Sequence, residues 1–418
     1  MSVHFHTLVK NFLIYSAGAI LLRLLTSGSS LAMIGVLSPA QFGLLAMLNT
    51  LILVLPVILG LGLRQVLAVE YVSNAGWSLT GQLAVTYLIA TMPIIILLMF
   101  FPELFNQYWL MGAASTLQIR LALLAAWLSF FPDLLFQLLR FQGQAVHLTI
   151  AQLALGLIVA GGTWGFVVYA KLGLLGALAA QSLAQLLLAL YLLAWLIFYY
   201  LSWSIPSSAQ VRGYLRIGLP FVPNILLAVA IVVLNRWLIV QQTSLGQMGI
   251  YALAEGLSFA FQALLLQPLI NATLPLILTS FKTHSTCIKE LDRSNDHWII
   301  LGAVTIMGLF IAGYFFGQSF LHWLLPAKFL PALPLLIPLI GAQIIFGASQ
   351  LTSASLQYFK QTHYLVALMA ASLLIGIIVN LCLVSSLGFW AGVWAVNAAY
   401  LFYFLGVKSF KIWYFGRV

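Results

Sequence analysis

Residues 38–46, SPAQFGLLA, return as SLGQMGIYA at 244–252, aligning Gln41 with Gln247 and Gly43 with Gly249 at an offset of 206. Two further stretches recur in the same order. RFQGQAVHL (140–148) resembles QYFKQTHYL (357–365), and LGLLGALA (172–179) resembles LGFWAGVWA (387–395), both at offsets near 216. The growth in offset fits the polar loop FKTHSTCIKELDRSNDH before the ninth apolar run. All three matches fall at the same place in each half, so the chain reads as one unit present twice.

The surroundings of these stretches say what the unit is made of. Of 418 residues, 63% are hydrophobic and only 6% charged. Apolar runs of about 20 residues, the length that crosses a bilayer core, recur from end to end. Composition therefore points to an all-α polytopic membrane protein. Read against Gly, Pro and charge punctuation, the runs predict twelve transmembrane helices at 11–36, 43–65, 79–101, 118–140, 147–169, 174–199, 216–241, 249–279, 298–321, 332–355, 364–386 and 389–408. The duplication groups them into two six-helix lobes, 1–205 and 206–418. Six is even, so both copies enter from one side, and a pseudo-two-fold axis along the membrane normal is expected.

The first run is too long for a signal-peptide core and lacks an A-x-A-like cleavage site, which predicts a retained first helix. With a cytoplasmic N-terminus, one side carries Lys10, Arg64, Arg140, Arg212, Arg216, Lys282, Lys289, Arg293, Lys360, Lys408, Lys411 and Arg417, twelve of the 17 basic residues. The other side carries Arg120, Lys171 and Lys328. That bias places both termini in the cytoplasm, the inner membrane of a bacterium being the expected location. The net charge of +10 is scattered over short loops, unlike the clustered basic and aromatic face that binds nucleic acid. Cys287 and Cys382 are too few and too differently placed for a disulfide framework.

Polar residues inside the runs are the candidates for function. Arg23 lies near the middle of NFLIYSAGAILLRLLTSGSSLAMIGVL (11–37), roughly 20 Å from either edge at 1.5 Å per residue. An arginine there costs about 2.5–3.5 kcal/mol, and no acid in the first three spans offsets it, so water, a distant acid or substrate must face it. Arg236 and Glu255 are equidistant from the loop tip between spans seven and eight, which predicts an ion pair acting as a clip or an outer gate. On span four, Asp133, Gln137, Arg140 and Gln144 share one helical face. Gln350, Gln357 and Gln361 repeat the stripe on span ten, with Gln343 two turns earlier. The stripes read either as a hydrated inner vestibule or as interhelical glue. Pro132, Pro220 and Pro223 mark expected kinks.

Phosphate loops, H-E-x-x-H, Cys/His clusters and nucleophile elbows are all absent from the sequence, so no enzyme activity, metal or cofactor is implied. LSPAQFGLLA, YLRIGLPFVPNILL (214–227) and NRWLIVQQTSLGQMGIYALAE (235–255), taken as a set, resemble the polysaccharide-exporter branch of the MOP superfamily, the O-antigen flippase type often called Wzx. Gly218, Leu219 and Pro220 match the family's GLP, whereas Asn235 stands where many relatives carry an acid. The resemblance implies a flippase that moves an undecaprenyl-pyrophosphate-linked glycan between leaflets by alternating access, in contact with membrane lipid and the polysaccharide polymerase machinery.

For that cargo, Arg23 suits bidentate phosphate contact better than lysine would. Arg140 would draw in the anionic head. Asn235, Arg236, Gln137, Gln350 and Gln357 complete the expected substrate-binding set, and Asp133 and Glu255 are the candidate gate or coupling sites for H+ or Na+. A multidrug or metabolite exporter shares the fold but should line its cavity with unpaired carboxylates. A peptidoglycan-precursor flippase usually has two extra C-terminal helices.

Overall fold

A backbone surrounded by hydrocarbon must satisfy its N–H and C=O groups internally, which leaves helices as the solution for runs like these. A computed structural model of the chain describes residues 18, 20–22, 24–71, 76–198, 205–283, 288–359 and 361–415. Among them there is no strand. Ten helices are long and apolar enough to cross a membrane, or eleven if Ser208–Leu227 and Val229–Gln242 count together as one bent span; Ile20–Val36 (α1) is a shorter apolar helix. The protein is thus a polytopic helical membrane protein, and the predicted spans fall on these helices within a few residues at most ends.

Contacts divide the chain into two compact units, 1–229 and 230–418. In the first unit α2 (Pro39–Leu59), α3 (Leu63–Glu70), α4 (Gly76–Phe100), α5 (Pro102–Tyr108), α6 (Thr116–Leu128), α7 (Phe130–Phe141), α8 (Ala145–Thr163) and α9 (Gly173–Phe198) follow α1, and α10 (Ser208–Gly218) closes it. α10 packs on α3, which is why residues beyond 205 belong to this unit. The close approach is backbone to backbone. Gly62 has φ 71°, and a Cβ there would sit 2.0 Å from the Gly218 carbonyl oxygen. The glycine of the GLP motif is therefore fixed by space.

α11 (Val222–Gln242) leads into the second unit, which continues with α12 (Leu245–Phe261), α13 (Gln267–Thr283), α14 (Ile288–Leu324), α15 (Leu333–Thr352), α16 (Ala354–Tyr358), α17 (Thr362–Leu387) and α18 (Trp390–Phe415). α18 packs along both α17 and α15. Ile231, Ala342, Val396 and Tyr400 form one buried cluster there, and Leu356, Tyr403 and Val407 another.

The three sequence matches land on helix starts with the same local chemistry. Ser38 and Ser244 are N-caps whose hydroxyls accept the backbone N–H of Gln41 and Gln247. Gln144 and Gln361 precede α8 and α17 with similar backbone, φ −80° and −85°. Gly173 and Gly388 enter and leave loops at φ 57° and 56°, a region that disfavours side chains. These equivalences show why such short motifs recur: each is a turn that a helix start requires.

Both units also break a long span at a serine. α6 ends at Leu128 and α7 resumes at Phe130, with Ser129 Oγ donating 2.8 Å to the Ala126 carbonyl. α15 ends at Thr352 and α16 begins at Ala354, with Ser353 Oγ donating 2.8 Å to the Gln350 carbonyl. Such back-bonding bends helices. In the first unit Pro132 adds to the effect by removing an N–H, and the Tyr87 hydroxyl donates 2.8 Å to the Trp127 carbonyl beside the break. Tyr87 stacks on Phe130 at 3.8 Å between centroids and meets Phe131 edge-on at 5.6 Å.

Candidate functional site

An arginine and a glutamate one helical hairpin apart meet in the second unit. Arg236 Nε and Nη2 both reach Glu255 Oε2, at 2.7 and 2.6 Å. Glu255 is 2% exposed, so the charge pair is removed from solvent. The second carboxylate oxygen accepts from the Tyr251 hydroxyl at 3.3 Å, one helical turn earlier on α12. Tyr251 accepts in turn from Asn235 Nδ2 at 2.7 Å, and the same amide donates 3.2 Å to the Gly392 carbonyl on α18. Asn380 Nδ2 on α17 donates to Asn235 Oδ1. A single chain of hydrogen bonds thus ties α11, α12, α17 and α18 together around one carboxylate.

The choice of asparagine at 235 follows from this chain of hydrogen bonds. Two neighbours, the Gly392 carbonyl and the Tyr251 oxygen, take hydrogens from its side chain. An aspartate has none to give. The sequence spacing between Arg236 and Glu255 made their meeting legible, but Tyr251 and Asn380 were missed. Asn380 stands alone in the apolar run LLIGIIVNLCLV, which was the available signal.

In the first unit, Asp133 of α7 pairs with Arg64 Nη1 of α3 at 2.6 Å, with side chains 42% and 29% exposed. The sequence reading ends the second span at 65, with Arg64 in its last turn, and gives Asp133 no partner. That is corrected: the second span ends at Leu59, the chain turns through Gly60–Gly62, and the amphipathic α3 brings Arg64 back to α7. Gln137 is half-buried and Arg140 exposed in the last turn of α7. Gln144 does not extend their stripe, because the helix ends at Phe141 and Gly143 takes φ 67°. Arg23 lies outside the described residues.

The matching stripe of the second unit is likewise cut. Gln343 is buried and Gln350 half-buried on α15, whereas Gln357 is exposed beyond the Ser353 break, with Nε2 donating 2.9 Å to Ser353 Oγ. Gln361 is the cap of the next helix. One further correction concerns Lys411. Counted with the cytoplasmic tail, it is 3% exposed within α18, held by Asp292 Oδ2 at 2.8 Å, Asp296 Oδ1 at 2.9 Å and the Thr352 carbonyl at 3.1 Å.

Residues 8–281 match the family described as "Polysaccharide biosynthesis protein", about two thirds of the chain. The chain belongs to that family. The match includes Arg64, Asp133, Arg236 and Glu255, while Asn380, Gly392 and the Lys411 cluster lie beyond it. Curated proteins give no match. Among solved structures, the chain is similar to an inward-facing multidrug resistance MATE family transporter of the MOP superfamily, with a TM-score of 0.73 at 16% identity over 97% of this chain and 98% of that one. It is similar to the lipid II flippase MurJ in an inward closed conformation, with a TM-score of 0.76 at 13% identity over 94% and 86%. An outward-facing MATE transporter gives 0.62 at 14% identity over 98% and 95%. The fold of this family member is accordingly that of MOP superfamily transporters.

Proposed function

We propose that the protein is a flippase that carries an undecaprenyl-pyrophosphate-linked oligosaccharide, the repeat unit of O-antigen or another surface polysaccharide, from the inner to the outer leaflet of a bacterial cytoplasmic membrane. The observation that carries this reading is a buried charge pair inside the spans of a chain whose family serves polysaccharide biosynthesis. Lipid tails can remain in the bilayer throughout transport. The sugar and pyrophosphate cannot, since an unpaired charge in hydrocarbon is prohibitive, so a polar and cationic path must be provided.

Arg23 supplies the phosphate contact, with Arg140 at the entrance and Gln137, Gln350 and Gln357 offering amides to sugar hydroxyls. Asn235 and Arg236 hold Glu255 in place between transport steps. Proton or Na+ binding at Glu255 or Asp133 would compete with Arg236 or Arg64 for the carboxylate, which couples an ion to the release of a helix contact. Delivery to the outer leaflet would feed the polysaccharide polymerase machinery. A multidrug or metabolite exporter is the second reading, favoured by the MATE likeness of the fold.

The test uses vesicles loaded with labelled undecaprenyl-pyrophosphate oligosaccharide and measures its movement between leaflets for wild type, Arg23→Gln and Arg23→Lys at matched protein levels. Wild-type transport that falls at least tenfold in both variants is expected. Equal transport by all three would leave the flippase reading standing and reduce Arg23 to a packing residue. Failure of wild type across a range of glycans, with transport of a soluble organic cation, would replace the proposal with the exporter.

A further inference from the structure

The polar sequence ELDRSNDH (290–297) changes to an apolar run at Trp298, and both Trp298 and Trp413 are exposed. Exposed tryptophans at such a change mark the level where a bilayer meets water. At that level α14 and α18 enclose a cavity of about 790 Å³ within the second unit. Drug-sized ligands occupy sites of roughly 300–1,000 Å³, so the space suffices for a lipid headgroup with its glycerol backbone.

The lining is sorted by chemistry. The buried cluster of Lys411, Asp292 and Asp296 forms its fixed base and clamps α14 to α18. Around it stand Arg293 and Lys408 on the cationic side, His297 beside them, and Glu290 in the first turn of α14 on the acidic side. His297 Nδ1 donates 2.7 Å to the Arg293 carbonyl, which fixes the ring. Among the described residues neither Arg293, Lys408 nor Glu290 forms an ion pair. Ile300, Ile412 and Phe415 complete the wall with apolar surface.

A cavity at the interface with unpaired charges of both signs and one apolar wall is complementary to a zwitterionic amphiphile. A purely anionic headgroup would leave Glu290 opposed, and a purely cationic one would face Arg293 and Lys408. We propose that this cavity binds the headgroup of a phospholipid bearing a primary ammonium, the phosphoethanolamine class, with phosphate on Arg293 and Lys408 and ammonium on Glu290 and the open edge of Asp296. The acyl chains leave past Ile300 into the bilayer, while Ile412 and Phe415, beyond Lys411 on the water side, cover the headgroup. A quaternary ammonium fits less well, having no N–H to donate to a carboxylate. The site is independent of which cargo the protein carries.

The experiment reconstitutes the full chain in nanodiscs of mixed phosphatidylethanolamine, phosphatidylglycerol and phosphatidylcholine, extracts it, and quantifies co-purified lipid by native mass spectrometry. Phosphatidylethanolamine enriched several-fold over both others is expected. Each basic group near charged lipid is worth about fivefold, so Arg293→Gln with Lys408→Gln should reduce retention by about 25-fold. Arg120→Gln with Lys171→Gln, an equal charge loss elsewhere, should leave it unchanged. Glu290→Gln should remove the preference over phosphatidylglycerol. Equal retention in the Arg293/Lys408 variant, an equal loss in the Arg120/Lys171 control, or a wild type that prefers phosphatidylglycerol or phosphatidylcholine would each overturn the proposal. So would binding of soluble phosphoethanolamine as tight as that of the lipid.

Discussion

Glu255 has both oxygens engaged, one by two nitrogens of Arg236 and the other by Tyr251, while only 2% of the residue meets solvent. Removing one partner of a buried pair strands the other charge and costs about 3–5 kcal/mol, whereas replacing both is often close to neutral. Arg236→Met or Glu255→Gln alone should therefore lower stability by about 3 kcal/mol in unfolding by mixed detergents. The double variant should recover more than half of the combined loss, and a purely additive double variant would mean that the ions do not stabilise one another. Tyr251→Phe removes two hydrogen bonds, one given to Glu255 and one taken from Asn235, and such bonds average only about 0.6 kcal/mol each in membrane proteins, so it should fall well below either charge variant. The pair was legible because its partners flank one short loop; Asn380 joins from 145 residues away, a closure that no local spacing encodes.

Elements were legible in their apolar cores and misread at their ends. Hydropathy cannot distinguish a span that stops at Leu59 from one that reaches 65, because LGLGLRQVLAVE stays apolar enough to continue. What ends the helix is backbone geometry at Gly60–Gly62, and what places the following α3 is the approach of Gly62 to Gly218. The same ignorance of ends misplaced Arg64, read at the end of the second span, and Lys411, read in the C-terminal tail; both are paired on other helical segments. Gly62→Ala tests the reasoning. It combines a left-handed conformation, costing about 1–2 kcal/mol for a residue with a Cβ, with a contact of 2.0 Å against the Gly218 carbonyl oxygen. Gly112→Ala carries the same strain at φ 70° with nothing within 4 Å. The expected loss of thermal stability at Gly62 is at least twice that at Gly112; equal losses would show that α3 is not held by this approach.

At the scale of the whole molecule, charge distribution and span number make one joint claim. Setting aside Arg64 and Lys411, which are held in ion pairs, leaves ten basic residues against three, so the bias on which the expected cytoplasmic orientation of both termini rests persists. Gln144 and Gln361 precede equivalent helices, and the sequence reading places six crossings between them. An even number returns the chain to the side it left. If Ser208–Leu227 and Val229–Gln242 together fail to make one crossing, the number becomes odd and the two glutamines face opposite sides. Single cysteines at 144 and 361, introduced after replacing Cys287 and Cys382, should both react with an impermeant maleimide only once the cells are permeabilised. Cysteines at Met111 and Ser386 should react in intact cells. Labelling of 144 and 361 from opposite sides would refute the duplicated six-span unit, because the recurring motifs would then sit in opposite membrane orientations. Labelling of both from outside would keep the duplication and invert the protein. The Lys411 cavity would then face the outer leaflet and the Arg236–Glu255 pair would move toward the cytoplasmic one.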